Sequence, residues 1–162
     1  MIERCEWLPD LVMFRGNWEE YVAILYRFFK ADFVESKPIF QNKRVGYLRD
    51  PIFQEKEFTF WHCTSEGEDE ELRTPDFRRC ERIRWPKPII EHSNDPSVRC
   101  WRNKRGSDIR VLLWFYEENY LVVLTERKTY AILWTTYYIE ENNRKKKLLK
   151  EYESYQEGLK NG

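Results

Sequence analysis

Two histidines, His62 and His92, are the side chains here whose unperturbed pKa, about 6.5, allows proton transfer near neutrality. His62 lies in WHCTSEG beside Thr64 and Ser65, and His92 closes PIIEH. Two imidazoles at one phosphodiester could act as base on a ribose 2′-hydroxyl and as acid on the leaving 5′-oxygen, each typically worth about 100- to 10,000-fold. Each reads equally well as a hydrogen-bonded structural histidine. Between them, RRCER sets Arg78, Arg79 and Arg82 about one turn apart on a short helix. Guanidinium forks suit bidentate phosphate contacts and a pentacoordinate transition state. Arg110 is a further candidate for substrate contact, as are Arg127 and Lys128, although ordinary turn solvation is the plainer reading of the last two. Strand alternation places Thr135 and Tyr137 on one face, with Thr136 and Tyr138 on the other. One pair faces a groove, where a hydroxyl could hold phosphate and a tyrosine could stack on a base. Cross-strand packing is the alternative.

Other chemistries lack their residues. The chain has no G-x-x-x-x-G-K-[ST], G-x-G-x-x-G or H-E-x-x-H motif, and its six glycines are scattered. The acids of residues 66–71 lack calcium-loop spacing, and Cys5, Cys63, Cys80 and Cys100 lack zinc spacing. We expect no metal, no cofactor, and reduced thiols packed in the interior. Bases and acids number 28 each, so only local patches can favour a polyanion. Residues 66–76 hold six acids against Arg73, whereas 78–105 hold nine bases against three acids. A third block, 144–150, has five bases and no acid, and reads as the solvated face of a terminal helix. The 7 Trp, 10 Tyr and 10 Phe exclude a disordered chain. No apolar run approaches the roughly 18 residues of a membrane span, and no signal core follows the charged N-terminus. The expectation is a cytoplasmic protein with no membrane partner.

The elements that must position these groups form an α+β pattern in a single domain, 1–162. Asn17 and Glu20 make a capping box for a helix reaching about Ala31. Short extended pieces are expected at 39–41 and 45–48, and a strand over 57–64, with Phe58, Phe60 and His62 on one face. Thr74-Pro75 supplies an N-cap and first-turn proline for the basic helix, which ends near Trp85-Pro86. The prolines of 87–95 imply an extended segment. Residues 98–103, 109–116, 120–125 and 130–139 are rich in β-branched and aromatic residues, and their short polar gaps permit only an antiparallel meander. A charged helix follows over 144–156.

FWHCTSEG, LRTPDFRRCERIRWPKPIIEH, YLVVLTERKTYAILWTTYYI and the basic KLLKEYE helix together resemble small phage-associated proteins of the Barnase–EndoU–colicin–RelE-like nuclease superfamily. The likeness covers residues 56–153, leaving 1–55 as an N-terminal extension. It implies a RelE/barnase-like core and a metal-independent endoribonuclease, often a toxin, that leaves a 2′,3′-cyclic phosphate. It further implies a motif role for His62, phosphate-binding roles for Arg79 and Arg82, and polar roles for Thr135 and Tyr137. His92 matches the IIEH segment. Implied partners are RNA (tRNA or mRNA) and an antitoxin or immunity protein, with the chain a monomer or homodimer. Neutral net charge departs from the basic character usual in RNA toxins. The alternative is a non-catalytic binding protein of phage or mobile-element origin.

Overall fold

Asn17 accepts a hydrogen bond from the Glu20 amide at 3.0 Å, and helix α1 (Trp18–Phe29) starts there as its capping box predicts. The computed structural model describes residues 5–69 and 72–161; Glu70 and Glu71 of the acidic stretch lie outside them. α1 buries Tyr21, Leu25 and Phe29, then widens into a π-helical turn, Lys30–Val34, that buries Phe33. Strands β1 (Ile39–Phe40) and β2 (Lys43–Tyr47) form a hairpin. Its two-residue turn puts Gln41 and Asn42 at φ 46° and 70°, the left-handed pair that matches strand twist.

The strand expected over 57–64 is instead helix α2 (Phe58–His62). A five-residue apolar window satisfies either period, and i to i−4 bonding decides it. Thr64 Oγ1 donates to the Phe60 carbonyl and Ser65 Oγ to that of Trp61, while the His62 ring stacks on Phe58 at 3.9 Å. Two-residue strands β3 (Ser65–Glu66) and β4 (Thr74–Pro75) follow. Pro75 therefore lies in a ladder, and the N-cap of α3 (Phe77–Glu81) is Asp76, which accepts from the Arg78 and Arg79 amides. The segment expected to be extended contains helix α4 (Pro86–Glu91). Its prolines fall in the first turn, where amides have no intrahelical partner, so they start the helix rather than prevent it.

Strands β5 (Val98–Arg105), β6 (Asp108–Phe115), β7 (Tyr120–Glu126) and β8 (Tyr130–Tyr138) form the expected antiparallel meander. Gly106, at φ +62°, opens the tight β5–β6 turn. The sheet is larger than expected. β2 pairs in parallel with β8, from Arg44 opposite Tyr130 to Tyr47 opposite Leu133. The result is a mixed six-stranded sheet of order β1-β2-β8-β7-β6-β5. Helix α5 (Asn142–Asn161) runs beyond the expected 144–156, straight through Gly158.

The sheet has an apolar cluster on each face. Tyr21, Phe29, Phe60, Ile89, Leu113 and Val122 belong to one, beneath α1, α2 and α4. Trp101, Leu112, Trp114, Leu121, Val123 and Ile139 make the other, against which Leu148, Leu149 and Tyr152 of α5 pack. No helix among the described residues is long and apolar enough to cross a membrane.

Candidate nucleic-acid interface

The site starts from an irregularity in β8. Leu133 faces Leu124 of β7 and Thr135 faces Val123, so Trp134 is an extra residue with no partner. Such a bulge bends the strand and re-aims its side chains. Trp134 joins the α5-side cluster and lines a cleft with Thr135 and Tyr137, two residues that plain alternation would put opposite it. Thr136 is buried, and Tyr138 lies beneath Arg82, whose guanidinium carbon is 4.4 Å from its ring centre.

The cleft encloses about 500 Å³ between the meander and α5. Its sheet wall includes Asn103 and Arg105 of β5 and Arg110 of β6, and its helix wall Arg144, Lys147, Leu148 and Glu151. Four bases thus face one acid. The Glu151 carboxylate is engaged by Trp101 Nε1 at 3.0 Å and by Asn103 Nδ2 at 2.9 Å. Two guanidinium groups rest on aromatic rings, Arg110 over Trp134 at 4.6 Å and Arg144 over Tyr137 at 4.4 Å. Such stacking holds a planar cation in place while its edge donors stay available to phosphate. Asp108 is the acid nearest Arg110, 3.8 Å from its Nη2.

His62 stands beside this cleft, with its ring centre 6.0 Å from that of Trp134. Its carbonyl is held by two predicted site residues: Thr135 Oγ1 donates at 3.0 Å and Arg79 Nη1 at 3.3 Å. Arg79 also donates to the Ser65 carbonyl at 2.8 Å, lies 3.2 Å from Asp76 and stacks 4.8 Å from the Tyr137 ring centre. The structure therefore gathers His62, Arg79, Arg110, Thr135 and Tyr137 around the middle of β8.

The other candidates lie elsewhere. His92 ends α4, its Nδ1 2.8 Å from the Pro88 carbonyl, and its ring stacks on Trp7 at 4.3 Å. Trp7 packs on Phe115 at the end of β6, which is level with Tyr138 and belongs to the cluster on the other face of the sheet from Trp134. His62 and His92 are not brought together. Arg82 is buried, donating to the Arg78 carbonyl and Glu81. Arg78 pairs with Glu81, Arg127 pairs with Asp108, and Lys128 is exposed in the β7–β8 turn.

Arg144 and Lys147 are exposed, as a solvated helix face requires, and also border the cleft. With Leu148 and Glu151 they follow i, i+3, i+4, i+7 spacing, a one-sided stripe legible in the sequence. All four cysteines are free. Burial pushes the Cys63 and Cys80 thiols up to about 12 and Cys100 to about 11, which leaves them protonated near neutrality. No group of three His, Cys, Asp or Glu among the described residues could hold a metal ion. No protein-family model, curated protein or solved structure matches the chain.

Proposed function

We propose that the protein binds single-stranded RNA in the cleft between the meander and α5, with Arg105, Arg110, Arg144 and Lys147 on the phosphates. The observation that carries this is the concentration of four bases and two guanidinium–aromatic pairs around one hollow in a chain of zero net charge. Cations stacked on rings match the pairing of backbone charge and aromatic surface found where single strands bind. The resemblance to RelE/barnase-like nucleases favours RNA over DNA.

A second reading, metal-independent cleavage, is favoured by the His62 ring 6.0 Å from Trp134, the same ring that carries Arg110. A phosphodiester held by Arg110 lies near an imidazole able to take the 2′-hydroxyl proton, while a guanidinium stabilises the phosphorane. The 2′-oxygen then displaces the 5′-oxygen, which takes its proton from solvent, leaving a 2′,3′-cyclic phosphate. This mechanism uses one histidine.

Anisotropy of a labelled 20-nucleotide RNA, and of the same sequence as DNA, tests the binding. Arg110→Ala and Arg144→Ala are each expected to weaken RNA binding about tenfold or more, with Arg15→Ala beside α1 unchanged. RNA bound equally well by all three variants sinks the cleft. Total RNA in EDTA tests the cleavage: a cyclic-phosphate product made by the wild type and lost in His62→Ala supports it. Binding without product leaves a binding module.

A further inference from the structure

On the side of the molecule formed by α1 and α3, Met13, Phe14, Trp18, Ile24 and Phe77 are each 36–51% exposed. They are contiguous. Phe14 meets Phe77 and Tyr21 at 5.4 Å, and Trp18 meets the same two rings at 5.9 and 6.0 Å. Met13 and Ile24 line a hollow of about 350 Å³ on one flank. Trp18 lines another of about 280 Å³ with Val22, Phe53 and Trp61.

We infer that this aromatic face is the interface of a homodimer, covered by the same face of a second copy. Area is the first argument. An aromatic side chain has about 150–250 Å² to bury, so the three rings, with Met13 and Ile24 of comparable size, leave on the order of 400 Å² at these exposures. That equals the largest patch of an ordinary monomer and about half of the roughly 800 Å² each partner contributes to a stable interface. A polar rim supplies the remainder.

Charge is the second argument, and it selects the occupant. Arg15, Arg84 and Glu20 line the first hollow and Arg73 the second. Glu19, Asp76 and Arg78 adjoin the apolar residues in sequence. Both signs occur, four bases and three acids, so a two-fold axis can set bases of one copy against acids of the other. The exposed edge strand β5 is the contrast. It carries Arg99, Arg102, Lys104 and Arg105 and no acid, so two copies meeting there would oppose like charges.

Sedimentation velocity of the full chain, from about 1 to 200 μM in low and high salt, tests the inference. The mass is expected to rise from one protomer to two with concentration and to persist in high salt. Trp18→Glu and Phe77→Glu are expected to shift the midpoint at least tenfold, with unchanged circular dichroism and RNA affinity. Should either variant misfold, Met13→Lys with Ile24→Lys probes the same face from its other flank. A monomer throughout overturns the homodimer and leaves the face to another protein. A dimer that dissolves in salt, or that resists these variants and yields to Arg102→Glu, also overturns it.

Discussion

Thr135 and Arg79 converge on a single atom, the His62 carbonyl at the end of α2, and so couple the helix layer to the bulged strand. Thr135→Val removes one of those bonds from a buried position and is expected to cost about 1–2 kcal/mol in denaturant unfolding. Arg79→Met also removes a bond to the Ser65 carbonyl, which keeps Arg73 Nη2 at 2.6 Å, and the ion pair with Asp76, and about 3 kcal/mol is expected to go with the buried charge. A variant as stable as the wild type that had lost only RNA binding would return Arg79 to the phosphate. These assignments show what residue types convey and what they do not. Arginine in RRCER is legible as a multiple donor, yet the same fork geometry serves a protein carbonyl as well as a phosphate oxygen. Trp134 escaped notice because alternation assumes an unbroken ladder, and one inserted residue changes which side chains share a face.

Among the elements, the π-helical turn after α1 holds the most testable charge. Burial raises the Asp32 carboxyl to about 6, against Lys87 and Arg84 and together with Glu91. A carboxyl whose folded pKa exceeds its unfolded value binds protons more tightly when folded, so stability falls as pH rises from about 4 through about 6. Asp32→Asn is therefore expected to raise the melting temperature by a few degrees at about pH 7.5 and to leave it nearly unchanged near pH 4. An equal gain at both would place the effect outside the carboxylate's ionisation. The long elements were legible in the sequence. α1 announces itself through Asn17 and Glu20, and each meander strand has seven to nine residues in which to display its pattern. Of the short ones, β1, β2 and α3 were expected close to their places, whereas α2 and α4, five and six residues long, were not, and depend on contacts with the sheet. Thr59 shows how, accepting from the Leu48 amide and donating to the Leu133 carbonyl.

Across the whole molecule, zero net charge conceals segregation, because the cleft carries four bases and one bonded acid. If those four bases displace counterions from a single strand, log K should fall against log salt with a slope of about −3. That corresponds to about 50-fold weaker binding at 200 mM than at 50 mM salt. A slope near zero would mean that the cleft does not hold phosphates. The parallel pairing of β2 with β8 has a consequence for how the chain acquires its shape. The meander joins near neighbours and can assemble early, whereas Arg44–Tyr47 must find strand residues more than eighty positions away. Closing so long a loop delays that contact. During synthesis the N-terminal third emerges first and has no strand to join until Tyr130–Leu133 are made. Its aromatic side chains, Phe29, Phe33 and Phe40 among them, then wait without their final neighbours. Translation speed and chaperone supply should accordingly govern the yield of this protein more strongly than a fold with only local pairings would require.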